Sequence, residues 1–246
     1  MRTGRTVGII ICAAALATAA AALSFTVNFA QLFGNNASVS VVGGAALAMP
    51  TVLIDAGHGG VDGGAVSPVD GTVEKELNLD VAAKTRDFMR LMGFRVQMTR
   101  ESDISIHDEG ASTIRQKKVS DIKNRLKMLN EGDAEFLISI HMNIFGIKKY
   151  SGTQVFYGGG NAQSQTLAES VQSNVKTLLQ PDNARVVKES TKSIYLLYNA
   201  KKPAVMVECG FLSNAEELQK LKSADYRQQL AAAIVKGAAD YKFSEI

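Results

Sequence analysis

The 246 residues are 46% hydrophobic, enough for one sizeable core plus an appendage. Lys and Arg total 27 against 24 Asp and Glu, and setting aside Arg2 and Arg5 at the N-terminus leaves 25 against 24, a near-neutral body. That balance excludes the one-sided basic field that nucleic-acid binding requires.

In chain order, Arg2 and Arg5 precede an apolar, Ala-rich run over residues 7–23, and no Asp, Glu, Lys, Arg or His occurs from Thr6 to Ile54. The run reaches Ala30 with only Thr, Ser and Asn as polar interruptions, long enough to span a bilayer, and its arginine flank orients the N-terminus to the cytoplasm. Residues 1–30 therefore fit a signal peptide or a membrane anchor, and the length favours the anchor. Residues 31–50 are mostly Gly, Ala, Ser, Val and Asn and read as a linker. The folded domain is expected over 51–246. Cys12 lies in the apolar segment and Cys209 is alone in the domain, so no disulfide can form within it.

Inside the domain, short β-branched runs alternate with helical patterns. Residues 51–54 read as a buried strand that ends at Asp55-Ala-Gly-His-Gly-Gly60. Leu77, Val81, Thr85, Phe88 and Met92 recur at helical spacing until Gly93 stops them. Residues 94–99 alternate like a strand; 117–130 form a polar helix with Val119, Ile122, Leu126 and Leu129 on one face. A strand over 136–140 leads to His141, and another over 152–157 closes at three glycines, 158–160. Leu167, Val171, Val175 and Leu178 mark a helix that Pro181 ends. Residues 204–207 are a late strand before Glu208. Asn214 then caps a helix, with Glu217 placed for a capping box, and Leu230, Ile234, Ala238 and Tyr241 define the last helix. This alternation predicts a single α/β domain with a mostly parallel, mixed central sheet flanked by helices on both faces.

Three of these strands lead into residues suited to chemistry: Asp55 and His58, His141, and Glu208. Ligands of open α/β sheets gather beyond the carboxyl ends of the strands, so parallel neighbours would bring two histidines and a carboxylate to one edge. Two imidazoles and a nearby carboxylate suit a catalytic zinc with one open position. Glu74 and Glu76 are both candidates for the third ligand, and two residues apart on a helix they face different ways. Asp55 is placed to orient an imidazole. Glu208 follows an apolar strand, where burial would raise its pKa and suit it to proton transfer. His107, in a polar stretch, reads as surface.

Four blocks, Ile-Asp-Ala-Gly-His-Gly-Gly-Val-Asp-Gly-Gly-Ala (54–65), Glu-Lys-Glu-Leu-Asn-Leu (74–79), Ser-Ile-His-Met-Asn (139–143) and Val-Glu-Cys-Gly-Phe-Leu-Ser-Asn (207–214), resemble the zinc-dependent N-acetylmuramoyl-L-alanine amidases (amidase_3) in content and order. The resemblance implies one zinc per chain on His58, Glu74 and His141, with Glu208 as the catalytic carboxylate. It resolves the third ligand in favour of Glu74. It further implies hydrolysis of the amide between N-acetylmuramic acid and L-alanine in peptidoglycan, at an extracytoplasmic, membrane-anchored or secreted location. The stretch over residues 115–126 resembles the CwlD-type spore-cortex amidases, which implies a role in muramic-δ-lactam formation and germination. Two features depart from the family pattern. Cys209 stands where a small or polar residue is expected. Only eight residues, 144–151, follow the His141 block before the next strand, too few for the long occluding helix of some division amidases. Control is therefore expected from expression, localisation or a protein partner. The competing readings are a zinc peptidase cutting within the peptide stem and a non-catalytic wall-binding protein. Residues around the site, with Asn143 and the 158–161 loop as candidates, are expected to contact the glycan.

Overall fold

The computed structural model describes residues 49–243. The expected anchor, and all but the last two residues of the expected linker, lie outside them. Among the described residues no helix is long and apolar enough to cross a membrane.

The core is a six-stranded sheet in the order β2-β1-β3-β6-β4-β5. Strands β1 (Thr51–Ala56), β2 (Arg95–Met98), β3 (Phe136–Asn143) and β6 (Ala204–Phe211) run parallel. Strand β4 (Gln154–Tyr157) pairs antiparallel with β6, and β5 (Lys188–Glu189) lies parallel to β4. The sheet is thus mixed, as the sequence predicts. All six residues of β1 are buried, which is why it reads as a continuous apolar run rather than an alternation.

Helices α1 (Glu74–Leu91), α3 (Ala162–Leu178) and α6 (Ala224–Phe243) pack together on one face. On the other face, Leu53, Leu137 and Met206 of the sheet meet Leu129 of α2 (Ile114–Glu131) and Leu196 and Leu197 of α4 (Tyr195–Tyr198). Helix α5 (Ala215–Lys222) packs on α6 and β6. The buried positions of α6 run through Leu230–Val235 and Gly237–Ala239, wider than the predicted single stripe, because α1 and α3 both pack on it. Its small residues permit the approach: a Cβ at Gly237 would lie 2.5 Å from the Val171 Cα.

Gly93 ends α1 at φ 88°, as its position predicts. Helix α2 begins three residues earlier than its apolar pattern suggests, because Thr113 and Gln116 close a reciprocal capping box. Val119 is exposed, and Arg125 occupies the buried place instead. Asn214 caps α5 by accepting from the Glu216 and Glu217 amides, but the expected return bond from Glu217 is not made. Its carboxylate instead accepts from the Gly152 and Phe211 amides, at 2.8 and 2.7 Å.

Arg125 fastens α2 to the sheet. Its guanidinium, 2% exposed, pairs with Asp55 and with Asp121 at 2.6 Å. It also donates to the Ala56 and His58 carbonyls, each at 2.8 Å. Burial alone would raise the Asp55 pKa, but Arg125, with His141 and the Ser139 and Thr99 hydroxyls, holds it down at about 2. Such a depressed carboxylate contributes stability that is complete above its ordinary value of 3.8 and is lost as pH falls through about 2. Arg125→Leu leaves Asp55 buried and unpaired, and is expected to cost about 3–5 kcal/mol in urea unfolding. A cost below about 1 kcal/mol would contradict this role.

Candidate metal centre

Strand β1 ends at Ala56, and the chain turns at once through Gly57, His58, Gly59 and Gly60. The last three have positive φ, with His58 at 61°, a conformation that only a firmly held non-glycine residue adopts. Arg125 holds this turn through the His58 carbonyl, and the Gly57 amide donates to the Ile140 carbonyl of β3 at 3.1 Å. His58 Nδ1 lies 2.8 Å from Asp62 Oδ2. That contact leaves Nε2 facing Glu74 Oε1, at 3.3 Å.

Glu74 is the first residue of α1 and is buried. Its Oε2 accepts from the Ala65 amide at 2.7 Å. Its Oε1 accepts from the Met142 amide and Asn78 Nδ2, both at 3.1 Å, and lies 3.0 Å from His141 Nδ1. His141 projects from β3, and its ring lies over Gly57, where an added Cβ would come within 2.2 Å of Nε2. No other residue type fits there. The two imidazole centroids are 4.9 Å apart with planes at 74°.

One ligand atom from each of His58, Glu74 and His141 lies within 4.8 Å of the other two, so the group could hold a metal ion. The donor set fits the expected zinc, with two imidazole nitrogens and a carboxylate oxygen leaving a position for substrate or water. The electrostatics agree. Burial opposes a charge on His58, yet its bonds to Asp62 and Glu74 win and raise its pKa to about 9. Glu74, despite burial, is held well below the carboxylate range by the two histidines. The pocket therefore stabilises a positive charge at its centre, and a divalent cation entering it would displace a proton.

Glu208 stands beside His141 in the β3–β6 register. Its Oε2 is shielded from solvent and has no hydrogen-bond partner among the described residues. Burial raises its pKa to about 7, with Glu74 adding to the rise and His141 and His58 opposing it. An acidic group that changes charge near neutrality, with one oxygen uncommitted, is equipped to take up and return a proton.

Several sequence-based expectations change here. Both His141 and Glu208 lie within their strands rather than after them, since β3 runs to Asn143 and β6 to Phe211. Glu76 is exposed. His107 contacts Ser105 Oγ at 2.9 Å and is outside the group. Asp55 orients no imidazole; it serves Arg125, Thr99 and Ser139. Asp62 takes that task, and its place four residues after His58 in the same glycine-rich turn was the available signal. Cys209 is fully buried next to Glu208 in β6, so strand alternation points its thiol to the opposite face. The 158–161 loop follows an antiparallel strand and lies at the other end of the sheet, where Tyr157 pairs with Val205. The same reversal brings the start of β4, Gln154, opposite Glu208. No helix forms over residues 144–151, in keeping with their number.

Asp62→Asn keeps the shape at His58 and removes the charge behind it. Metal affinity, measured by competitive chelator titration, is expected to fall by about 10–100-fold. Unchanged affinity would show that Asp62 does not tune the imidazole.

The family pattern described as N-acetylmuramoyl-L-alanine amidase (Amidase_3) matches residues 52–240. The chain is 37% identical over 190 residues to the germination-specific N-acetylmuramoyl-L-alanine amidase of Bacillus subtilis, covering 77% of this chain and 78% of that one. Among solved structures it is similar to the CwlD amidase of Clostridioides difficile in complex with the GerS lipoprotein. That match has TM-score 0.75 and 38% identity and covers 78% of this chain and 98% of that one. An N-acetylmuramoyl-L-alanine amidase from Clostridium difficile 630 matches with TM-score 0.70 and 30% identity, over 80% and 99% of the two chains.

Proposed function

The chain belongs to the N-acetylmuramoyl-L-alanine amidase family, and from that premise we propose that it works as a zinc enzyme in which His58, Glu74 and His141 hold one ion and Glu208 is the catalytic carboxylate. The reaction is hydrolysis of the amide between N-acetylmuramic acid and L-alanine in peptidoglycan. The observation that carries the zinc assignment is the convergence of three ligand atoms within 4.8 Å, beside a carboxylate with an uncommitted buried oxygen.

Zinc bound there would supply Lewis acidity, polarising the scissile carbonyl and making the attacking water easier to deprotonate. Glu208, ionised, takes the proton of that water through a carboxylate oxygen. It then hands the proton to the alanine nitrogen as the carbon–nitrogen bond breaks, so one group serves as base and then acid. Asp62 keeps His58 Nδ1 occupied so that Nε2 stays turned toward Glu74. Asn78 and the Ala65 and Met142 amides hold the Glu74 carboxylate still. Gly57 leaves room for the His141 ring.

Peptidoglycan lies outside the cytoplasmic membrane, and the apolar N-terminal segment supports tethering there. The likeness to a germination-specific relative supports action on spore cortex, where removal of stems precedes muramic-δ-lactam formation. The similar CwlD amidase was solved with a lipoprotein, which supports a protein partner for this chain too.

Digestion of purified peptidoglycan, with products identified by mass spectrometry, tests the reading. Intact stems with a free alanine amine are expected, and a chelator should abolish their release until zinc is returned. Shortened stems would instead identify a peptidase acting within the stem, and no products at all would favour a wall-binding role.

A further inference from the structure

Side chains suited to polar recognition continue along the sheet edge past Glu208. Gln154 is the β4 partner of Glu208, and directly opposed residues of an antiparallel pair lie on the same face, with Cα atoms about 4.5–5.5 Å apart. Gln154 Nε2 donates to the Val186 carbonyl at 2.9 Å, and its Oε1 accepts from Arg185 Nη1 at 2.9 Å. Arg185 Nε donates to the Ser151 carbonyl at 2.7 Å. The guanidinium carbon lies 4.5 Å from the Phe211 ring centroid and 5.7 Å from that of Tyr150. Arg185 is half-buried; no carboxylate among the described residues lies within ion-pair distance of it, and Glu217, whose carboxylate feels its charge, is committed to the Gly152 and Phe211 amides.

A guanidinium oriented by two aromatic faces and two hydrogen bonds loses little freedom on binding a ligand. It uses two of its five N–H groups on its own chain, and the others, including both on Nη2, have no hydrogen-bond partner among the described residues. Planar, charged donors of this kind match a carboxylate. Its position gives the substrate a direction. The strand order places His141, Glu208 and Gln154 in sequence along the edge, and the bond from Arg185 to Gln154 sets the guanidinium next in line. A stem whose nitrogen lies near Glu208 and which runs over Gln154 meets Arg185 next, with the sugar on the other side. Extended peptide advances about 3.3–3.6 Å per residue, so the residue after the alanine comes within reach of Arg185.

We propose that Arg185, backed by Gln154, Phe211 and Tyr150, is a specificity-determining residue that binds the free carboxylate of the second residue of the peptide stem. The proposal rests on the amidase reading of the site and adds the direction and charge of the leaving group. It predicts that stems with a free carboxylate at the second residue are cut faster than stems in which that carboxylate is an amide.

The test compares two purified peptidoglycans that differ only in this group, using the full chain with zinc and measuring kcat/KM for stem release. The wild type is expected to favour the carboxylate form by about tenfold or more. Arg185→Gln should reduce that ratio to within about twofold, mainly by slowing the carboxylate form. Arg185→Lys, which keeps the charge without the planar fork, should restore part of it. Zinc content and Tm of each variant are measured alongside. A wild type that does not distinguish the two polymers overturns the proposal while leaving the amidase reading intact. An Arg185→Gln variant that loses activity equally on both also overturns it, because that is the signature of a structural role. Release of stems from neither polymer by wild-type protein would count against the amidase reading, and the proposal would fall with it.

Discussion

Glu208→Gln is expected to keep its fold and one zinc per chain while stem release falls by about 10²–10⁴-fold, the usual worth of a positioned acid–base group. The amide nearly matches the carboxylate in size, so the sheet need not move. Oε2 makes no hydrogen bond that the substitution would break, and burial already disfavours the charge being removed. A Tm at or above the wild-type value is therefore expected, which separates lost chemistry from lost structure. The pH profile gives a second reading. Glu208 must be ionised to accept a proton, so wild-type activity declines on the acid side of its pKa. That pKa is about 7 without an ion, and a neighbouring cation favours the carboxylate, so the acid limb lies below about 7 and should disappear in the variant. A variant that released stems at the wild-type rate would remove Glu208 from the mechanism.

His141→Ala is expected to lose both zinc and activity. Glu74 Oε1 would then face a single imidazole, because His141 Nδ1 and His58 Nε2 approach that same oxygen from β3 and from the β1 turn. Two protein ligands are one fewer than catalytic zinc sites use. The fold should persist, since the His141 side chain is 15% exposed at the sheet edge rather than packed in the apolar core. Elemental analysis after dialysis is expected to find less than a tenth of an ion per chain, and stem release should be undetectable. Glu76→Ala is the control: Glu76 is exposed on the same helix, and its loss should leave zinc and turnover unchanged. Stoichiometric zinc in His141→Ala would contradict the assignment.

The sequence carried the site better than it carried the edges of the fold. Of the residues brought together, His58 and His141 announce themselves because parallel strands end on one side of the sheet and because glycines surround the first histidine, whereas Glu74 was separated from Glu76 only by the resemblance to the amidases. The central strands were readable from their apolar runs, and α1 from its period and its terminal Gly93. What was less legible depended on partners distant in sequence. The direction of β4 is set by pairing with β6, and nothing in Gln154–Tyr157 reports it; the misplacement of the 158–161 loop followed from that. Strand β5, two exposed residues long, has no pattern to detect. Asp55 sits between two possible tasks until Arg125, seventy residues away, claims it. Glu217 looked like a cap residue because its spacing from Asn214 is right, but two amides from elsewhere in the fold compete for its carboxylate.

Anomalous diffraction at the zinc absorption edge, recorded from crystals of the protein grown with zinc, addresses the central assignment most directly. One strong peak is expected in contact with His58 Nε2, Glu74 and His141 Nδ1, with Glu208 nearby but not coordinating. A peak held by other residues, or none at these three, would contradict it.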